Sequence, residues 1–386
     1  MHRQRLVLLC LAHFLVDTLA SFMNPLMPTF QDRLAMSNLG IGIVATCGSL
    51  TTSFTQPAWG YLSDRMRAGG MVIYGPIVAL VMIGLVGLAP SMAWLSLLVI
   101  MSGFGVAAFH PEGAAEASRA SGQRQALGIA LFVISGHMGL GCGPLLAGYL
   151  ADGLGLDRSW WIIPPGLVIL GLLGLRLHGT RATVARRASA GLRTLWCQHQ
   201  AILVPLLGLS ILRAFVGIAL SFGMPFWWQS QGLPESRIGL LSGAFLFAGG
   251  VAGFVAGLLV RPGQERRWIV GTLLAALPAL WLLLRQQSPM GLLLGAIVGG
   301  ALLNATIPMV IVYAQRLMRG GESVAASLML GVAWGIGGAL APPIIRVAQG
   351  RLGEAVTLQW ALLGLLPAIW LATRLPAAPR STPAAP

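Results

Sequence analysis

Charge is scarce in this chain, and lysine is absent from it. Only 9% of the 386 residues are charged, and all 25 basic residues are Arg, against 11 Asp and Glu. A soluble domain carries about 25% charged residues, so a globule solvated by water over its whole surface is excluded. The missing Lys reflects genome composition, and no chemistry is attached to it. Cysteine is scarce too. Cys10, Cys47, Cys142 and Cys197 form no pair with metal or redox spacing, which argues against a disulfide framework. Nothing resembles a phosphate-binding Gly-Lys-Ser loop, so ATP as an energy source has no support. Neither a nucleophile–base set nor zinc spacing is present, so no enzyme activity, metal or cofactor is expected.

Apolar sequence is plentiful instead. Hydrophobic residues make up 56% of the chain, and the mean hydropathy is +0.79. One span needs roughly 20 apolar residues. The runs place spans at 6–32, 39–62, 71–89, 93–118, 124–151, 159–178, 201–229, 236–260, 268–285, 290–317, 322–349 and 355–375. Gly 51 and Pro 23 fit this class, because both are common in membrane helices and let backbones approach or kink. The basic start followed by an apolar run mimics a secretory signal. That run continues past Pro25 without a small-residue cleavage site, so it is the first span.

The chain also repeats itself at a separation near 200 residues. Leu19-Ala20-Ser21-Phe22-Met23-Asn24-Pro25 returns as Ala219-Leu220-Ser221-Phe222-Gly223-Met224-Pro225. Gly143-Pro144 is echoed by Ala341-Pro342, and Phe109-His110-Pro111 by Thr306-Ile307-Pro308. The expected fold is therefore an all-α membrane protein, twelve transmembrane helices in two pseudo-symmetric six-helix bundles. The bundles cover 1–178 and 201–375, joined by a cytoplasmic linker over 179–200 and followed by a disordered tail over 376–386. The linker holds either a short amphipathic helix on the membrane surface or plain connecting chain. Related halves imply a binding site at their interface, reached alternately from either side.

A net charge of +14 would suggest nucleic acid in a soluble protein, but the placement of the arginines excludes it. With these spans, eighteen fall on one side, six on the other (Arg33, Arg158, Arg237, Arg285, Arg346, Arg351), and Arg213 within a span. The positive-inside bias then puts both termini in the cytoplasm of a protein of the cell inner membrane. The expected partners are the bilayer, protons and a small-molecule substrate, with the protein a monomer.

An ionisable side chain in a membrane helix costs about 2.5–3.5 kcal/mol by insertion scales, so each one asks for a reason. In the first span Cys10, His13, Asp17, Ser21 and Asn24 share an arc of about 80°. That stripe either lines a water-filled cavity or forms a buried interhelical seam. Asp17 lies about 16 Å in from the cytoplasmic end, close to mid-bilayer. With His13 one turn away it forms a coupled pair able to bind and release a proton. The fourth span carries His110 and Glu112, which point about 200° apart on a regular helix. Glu112 is open to proton or substrate chemistry or to a structural ion pair. For Glu116, near the membrane edge, the structural pair is favoured. Arg213 sits opposite His13 in the repeat. Arg does not deprotonate, so it needs an anion, either Asp17 or an anionic substrate. Gly139-x-Gly141-x-Gly143-Pro144 in the fifth span is a glycine-lined kink suited to tight packing. His137 beside it is read as a satisfied core histidine.

Gly60-Tyr61-Leu62-Ser63-Asp64-Arg65 resembles the cytoplasmic signature between helices 2 and 3 of the major facilitator superfamily, with Arg67 standing where a glycine is expected. The run over 139–148 is similar to that superfamily's antiporter motif in the fifth helix, Ala147 replacing one glycine. Ala12-His13-Phe14-Leu15-Val16-Asp17, Gln56-Pro57, Phe109-His110-Pro111-Glu112, Ala120-Ser121-Gly122 and Gly143-Pro144-Leu145-Leu146-Ala147 together resemble the fosmidomycin-resistance branch, densely over the first 150 residues. The resemblance implies a two-bundle secondary transporter with the first, fourth, seventh and tenth helices around a central cavity. It also implies drug efflux driven by proton entry. Gly60, Asp64, Arg65, Glu116, Gly143 and Pro144 would then serve conformational gating. Fosmidomycin is a small phosphonate anion, which suits Arg213.

The leading expectation is proton-coupled export of a small polar or anionic compound. His13 and Asp17 would carry the proton, Glu112 and His110 would assist, and Arg213, Asn24 and Asn304 would contact substrate. Rivals are an importer or uniporter in the same fold, and a non-transporting membrane sensor.

Overall fold

The computed structural model describes residues 2–65, 70–177, 192–261, 263–317 and 328–376. Most of the expected linker and tail lies outside the described residues, as do Arg67 and the side chains of Asp64 and Arg65. Among the described residues every regular element is helical. Lipid offers the backbone no hydrogen bonds, so each span must satisfy its own.

The first half contains α1 (Arg3–Ser21), which continues through a 3-10 turn at Asn24–Leu26 into Met27–Arg33, and α2 (Asn38–Phe54), which continues as Gln56–Arg65. It is completed by α3 (Met71–Gly84), α4 (Met92–Ser121), α5 (Gln125–Leu154) and α6 (Ile163–Leu177). The second half contains α7 (Leu192–Ser230), α8 (Glu235–Leu259), α9 (Glu265–Leu283) and α10 (Pro289–Asn304, continued as Thr306–Leu317). After a π-turn at Leu328–Val332 come α11 (Ala333–Leu352) and α12 (Glu354–Leu362, then Leu365–Arg374). The ends are local chemistry. Ser37 accepts the Gly40 amide at 3.0 Å to start α2, and Ser288 accepts the Gly291 amide at 3.1 Å to start α10, each the side-chain cap that an open helix end needs. Gly155 and Gly353, at φ 85° and 90°, close α5 and α11 in the left-handed conformation that glycine tolerates.

Ten of these segments are long and apolar enough to cross a membrane. The other two, α2 and α11, fall short for visible reasons. α2 is rich in Gly, Ser and Thr, and α11 carries Arg346, Gln349 and Arg351 in its last turns. Large apolar side chains face outward, including Leu175 (78% exposed), Leu258 (71%) and Trp360 (64%), which suits hydrocarbon rather than water.

Each half has its own core. One is built around Leu9, Val16, Phe30, Ile41, Leu95 and Phe109, the other around Leu206, Trp228, Leu280, Leu303 and Tyr313. Phe222 and Phe226 of α7 reach into the first core. The halves meet where α5 crosses α8 and α2 crosses α11. At the first crossing, a Cβ added at Gly148 would lie 2.3 Å from the Glu235 carbonyl oxygen, and one at Gly239 2.3 Å from that of Pro144. The backbones touch there because neither helix has a side chain to hold them apart.

Among the described residues, hydrogen bonds between the halves collect at the end of the bundle away from the termini. Arg346 Nε donates to Gln31 Oε1 at 2.8 Å, and Thr29 Oγ1 to Glu235 Oε1 at 3.2 Å. Gln229 Nε2 donates to Asp32 Oδ2 at 3.1 Å, and the Ser236 amide to Asp152 Oδ2 at 2.9 Å. Nearer the middle, Thr46 Oγ1 donates to the Ala339 carbonyl at 3.1 Å. The two halves are thus fastened together at that far end.

Candidate functional site

A cavity of about 270 Å³ lies between the halves. The first half contributes Ser21, Asn24, Ser49, Thr52 and Ser102 to its wall, and the second contributes Arg213, Ser221, Asn304 and Trp334. The polar stripe on α1 therefore divides. Ser21 and Asn24 line the cavity, whereas His13 and Asp17 lie deeper toward the terminal end, 6% and 7% exposed and off the cavity wall. Ser21 connects the two zones, its hydroxyl donating to the Asp17 carbonyl oxygen at 3.0 Å.

Asp17 sits between two histidines. Its Oδ2 is 3.3 Å from His13 Nε2 and its Oδ1 is 3.2 Å from His110 Nε2. Each imidazole is held at its other nitrogen: His13 Nδ1 donates to the Phe132 carbonyl on α5, and His110 Nδ1 to the Val106 carbonyl one turn back, both at 2.8 Å. Phe132 stacks on the His13 ring at 4.1 Å between centroids. The three groups come close enough together to consider a shared cation. The contacts instead divide between the two carboxylate oxygens at ion-pair separations, which suits protons. A Cβ added at Gly136 would lie 2.5 Å from Asp17 Oδ2 and from His13 Nε2, so the α5 backbone closes directly over the cluster. The His110 side chain, 25% exposed, is its most accessible member.

Glu112 points elsewhere. Its Oε2 accepts the amide of Met71 at 2.8 Å, the first residue of α3, where a carboxylate meets both open amides and the positive end of the helix dipole. Neither Glu112 nor His110 lines the cavity. Glu116 is bound by Arg5 Nη2 at 2.7 Å and also accepts from Arg119, tying the start of α1 to the end of α4. Gly143 packs α5 onto α1: a Cβ there would lie 2.2 Å from the Thr18 carbonyl oxygen. Pro144 lies inside α5 at the α8 crossing, and Gly60 meets Pro111 at ordinary contact distance.

In the second half, Arg213 is 4% exposed and forms no salt bridge to Asp17. Its Nη2 donates to Asn304 Oδ1 at 2.6 Å, and its guanidinium carbon lies 5.3 Å from the Trp334 ring centroid. Its Nε is buried without a hydrogen-bond partner. Asn304 is oriented by donating to the Gly300 carbonyl at 3.1 Å. Among the described residues no carboxylate lies within ion-pair distance of this guanidinium, so a full positive charge borders the cavity balanced only by an amide oxygen and a π face.

Sequence reasoning missed the Phe132 carbonyl, Gly136 and Trp334. The small-residue run in α5 signalled close packing there, but not what it packed against. Trp334 carries no chemical signal of its own.

The family model described as Major Facilitator Superfamily matches residues 9–382. The chain is 29% identical to the fosmidomycin resistance protein of Escherichia coli (strain K12) over 371 residues, 92% of this chain and 89% of that one. It is 25% identical to the uncharacterized MFS-type transporter YfnC of Bacillus subtilis (strain 168), over 92% and 87% of the two chains. Its fold is similar to the solved structure of a bacterial homolog to the human lysosomal transporter Spinster in an inward-facing and occupied conformation, at a TM-score of 0.69 and 17% identity with 99% of each chain covered. With twin helical bundles around a shared cavity and a family match over nearly its whole length, this chain belongs to the major facilitator superfamily of membrane transporters.

Proposed function

We propose that the protein is a proton-coupled exporter of a small anionic compound in the inner membrane, working as a monomer with both termini in the cytoplasm. The observation that carries this is Arg213: a buried, permanently charged side chain on the cavity wall with an unpartnered Nε and no carboxylate beside it. Such a charge calls for an anion, and Asn304 and Asn24 add polar contacts on either side of the space. The fosmidomycin resistance protein of E. coli supplies the drug class to try first, a phosphonate.

Protons are assigned to His13, Asp17 and His110. Fastened at the far end, the halves correspond to an inward-facing state, in which His110 provides the exit to the cytoplasm. After the protons leave, the anion enters and settles on Arg213. The bundles then rock about the α5–α8 and α2–α11 crossings, the substrate departs, and protons bind before the return. Pro144 and Gly148 act at the contacts on which that rocking turns, Gly143 at the packing of α5 on α1 beside them, and the Gly60-to-Arg65 segment and Glu116 at the cytoplasmic rim. Glu112 is assigned to anchoring the start of α3, which keeps α4 in register with it.

The test is counter-transport by purified protein in proteoliposomes with an imposed pH gradient and fosmidomycin as the trial substrate. Wild type should accumulate substrate against the proton flow. Asp17→Asn should lose the dependence on the gradient, and Arg213→Gln should lose transport of the anion. Gradient-driven transport that persists in Asp17→Asn removes Asp17 from coupling, and anion transport that persists in Arg213→Gln removes Arg213 from binding.

A further inference from the structure

Counting hydrogens in the cluster around Asp17 sets how many protons it has room to hold. Both nitrogens of both histidines face oxygen: His13 faces the Phe132 carbonyl at 2.8 Å and Asp17 Oδ2 at 3.3 Å, and His110 faces the Val106 carbonyl at 2.8 Å and Asp17 Oδ1 at 3.2 Å. A carbonyl and an ionised carboxylate accept hydrogen bonds only. Only the two carbonyl contacts are formed hydrogen bonds, and the two Asp17 contacts are ion-pair distances; filling all four would take four hydrogens, of which two neutral imidazoles supply two. Turning either ring over would set carbon atoms against both of its acceptors, so a flip does not remove the shortfall. The missing hydrogens are two additional protons. They reside either on two imidazolium rings flanking a carboxylate, or on one imidazolium and a carboxylic acid whose hydroxyl donates to the other ring. Both arrangements carry a net charge of +1, where the empty cluster carries −1.

Among the described residues, the ionisable groups nearest the cluster have their own partners. On α4, Glu112 is turned to the Met71 amide and Glu116 to Arg5 and Arg119. On α5, His137 donates to the Val133 carbonyl and packs on Gly250 of α8. Tyr74 of α3 is exposed, and Arg213 of α7 is engaged with Asn304. The Gly136 backbone leaves no room over the Asp17–His13 contact for a water to stand in for a proton.

We propose that His13, Asp17 and His110 form a two-proton store, and that each transport cycle exchanges two protons for one substrate. This rests on the proton-coupled reading above. The protons bind as ions from the outer solution and leave as ions to the cytoplasm, so no bond other than N–H or O–H is made or broken.

Two measurements test it. Purified full-length protein labelled with 15N-histidine is examined by NMR in lipid, with His13 and His110 assigned by signal loss in His13→Gln and His110→Gln. The loaded state should show two imidazolium rings, or one imidazolium with an Nδ1–H ring and a carboxylic-acid infrared band that Asp17→Asn abolishes. Either ring as the Nε2–H tautomer, or two neutral rings beside an ionised carboxylate, overturns the proposal. In proteoliposomes at zero membrane potential with fosmidomycin as probe, a pH gradient of one unit should support about a hundredfold concentration ratio, since each proton contributes about tenfold per unit. A tenfold ratio refutes the two-proton store while leaving proton coupling intact. No response to the gradient removes proton coupling itself.

Discussion

Replacing Gln31 by Leu should release the far end of the transporter. Gln31 is the first-half partner of Arg346, accepting from its Nε at 2.8 Å, and is itself oriented by donating to Asn38 Oδ1 at 2.8 Å. Arg346 keeps its remaining partners in the variant, Glu354 Oε1 at 2.8 Å and the Phe226 ring, whose centroid lies 4.2 Å from the guanidinium carbon. No bare charge is therefore created. Only the bond that differs between the two states shifts their balance. The Gln31–Asn38 bond lies within one half and drops out of the difference, whereas the Arg346–Gln31 bond crosses between halves. A hydrogen bond to a charged group contributes about 1.5–3 kcal/mol, so its loss shifts the population toward the far-end-open state by about 10- to 150-fold. Accessibility of Asn24→Cys, in a background lacking the four native cysteines, reports this directly. A membrane-impermeant maleimide added from the side away from the termini should label the Gln31→Leu variant at least about tenfold faster. An unchanged labelling rate in both Gln31→Leu and Arg346→Ala, with melting temperatures intact, would refute a latch at this end.

Arg213→Gln should weaken anion binding by about 10- to 150-fold, the loss of about 1.5–3 kcal/mol from a charge-assisted bond. Quenching of Trp334 fluorescence by a phosphonate gives the affinity, and Arg213→Lys should recover only part of it, because an ammonium lacks the planar fork. Gly136→Ala drives a methyl group into Asp17 and His13 and should cost about 1–3 kcal/mol of stability by overpacking, read as a lower melting temperature together with weakened proton coupling. Glu112→Gln keeps an acceptor for the Met71 amide and should retain gradient-driven transport, whereas Glu112→Ala should lower the melting temperature. Loss of proton dependence in Glu112→Gln with an intact melting temperature would instead put Glu112 in the proton path.

What could be read from the sequence, and what could not, follows from how far each constraint reaches along the chain. Lipid acts residue by residue, so the apolar runs exposed twelve spans and the halving of the chain before any packing was known. The same cost flagged His13, Asp17 and Arg213 as residues placed inside a span for a reason. Which groups face one another is set by contacts between distant helices, and the one-dimensional pattern left those choices open. Asp17 was offered Arg213 or His13 as partner, and packing of α1 against α4 gave it His110 as well. A regular helix points His110 and Glu112 about 200° apart, but which neighbours they meet, Asp17 for His110 and the Met71 amide for Glu112, depends on where α1 and α3 lie. Arg346 falls near the end of the expected span 322–349 and reads there only as a charge on one side of the membrane; within α11 it joins the halves through Gln31.

The internal repeat carries one consequence further. His13 and Arg213 occupy matching positions in the first helix of each half, 6% and 4% exposed. One position holds a group whose charge can be switched, with an acid one turn away, and the other a charge that cannot be switched, with no acid beside it among the described residues. On the proposed scheme, loading the first-half cluster with its two protons changes the field at the cavity without disturbing the anion's own ligand in the second half. In our reading that division is what allows two bundles of common design to hold protons and substrate at separate sites and still exchange one for the other. Moving the charge across the repeat, by His13→Arg with Arg213→His, should leave both residues buried but abolish gradient-driven transport, since a permanent cation beside Asp17 would hold it ionised throughout the cycle. Retained coupling in that double variant, assayed in proteoliposomes under a pH gradient, would contradict the division of roles between the halves.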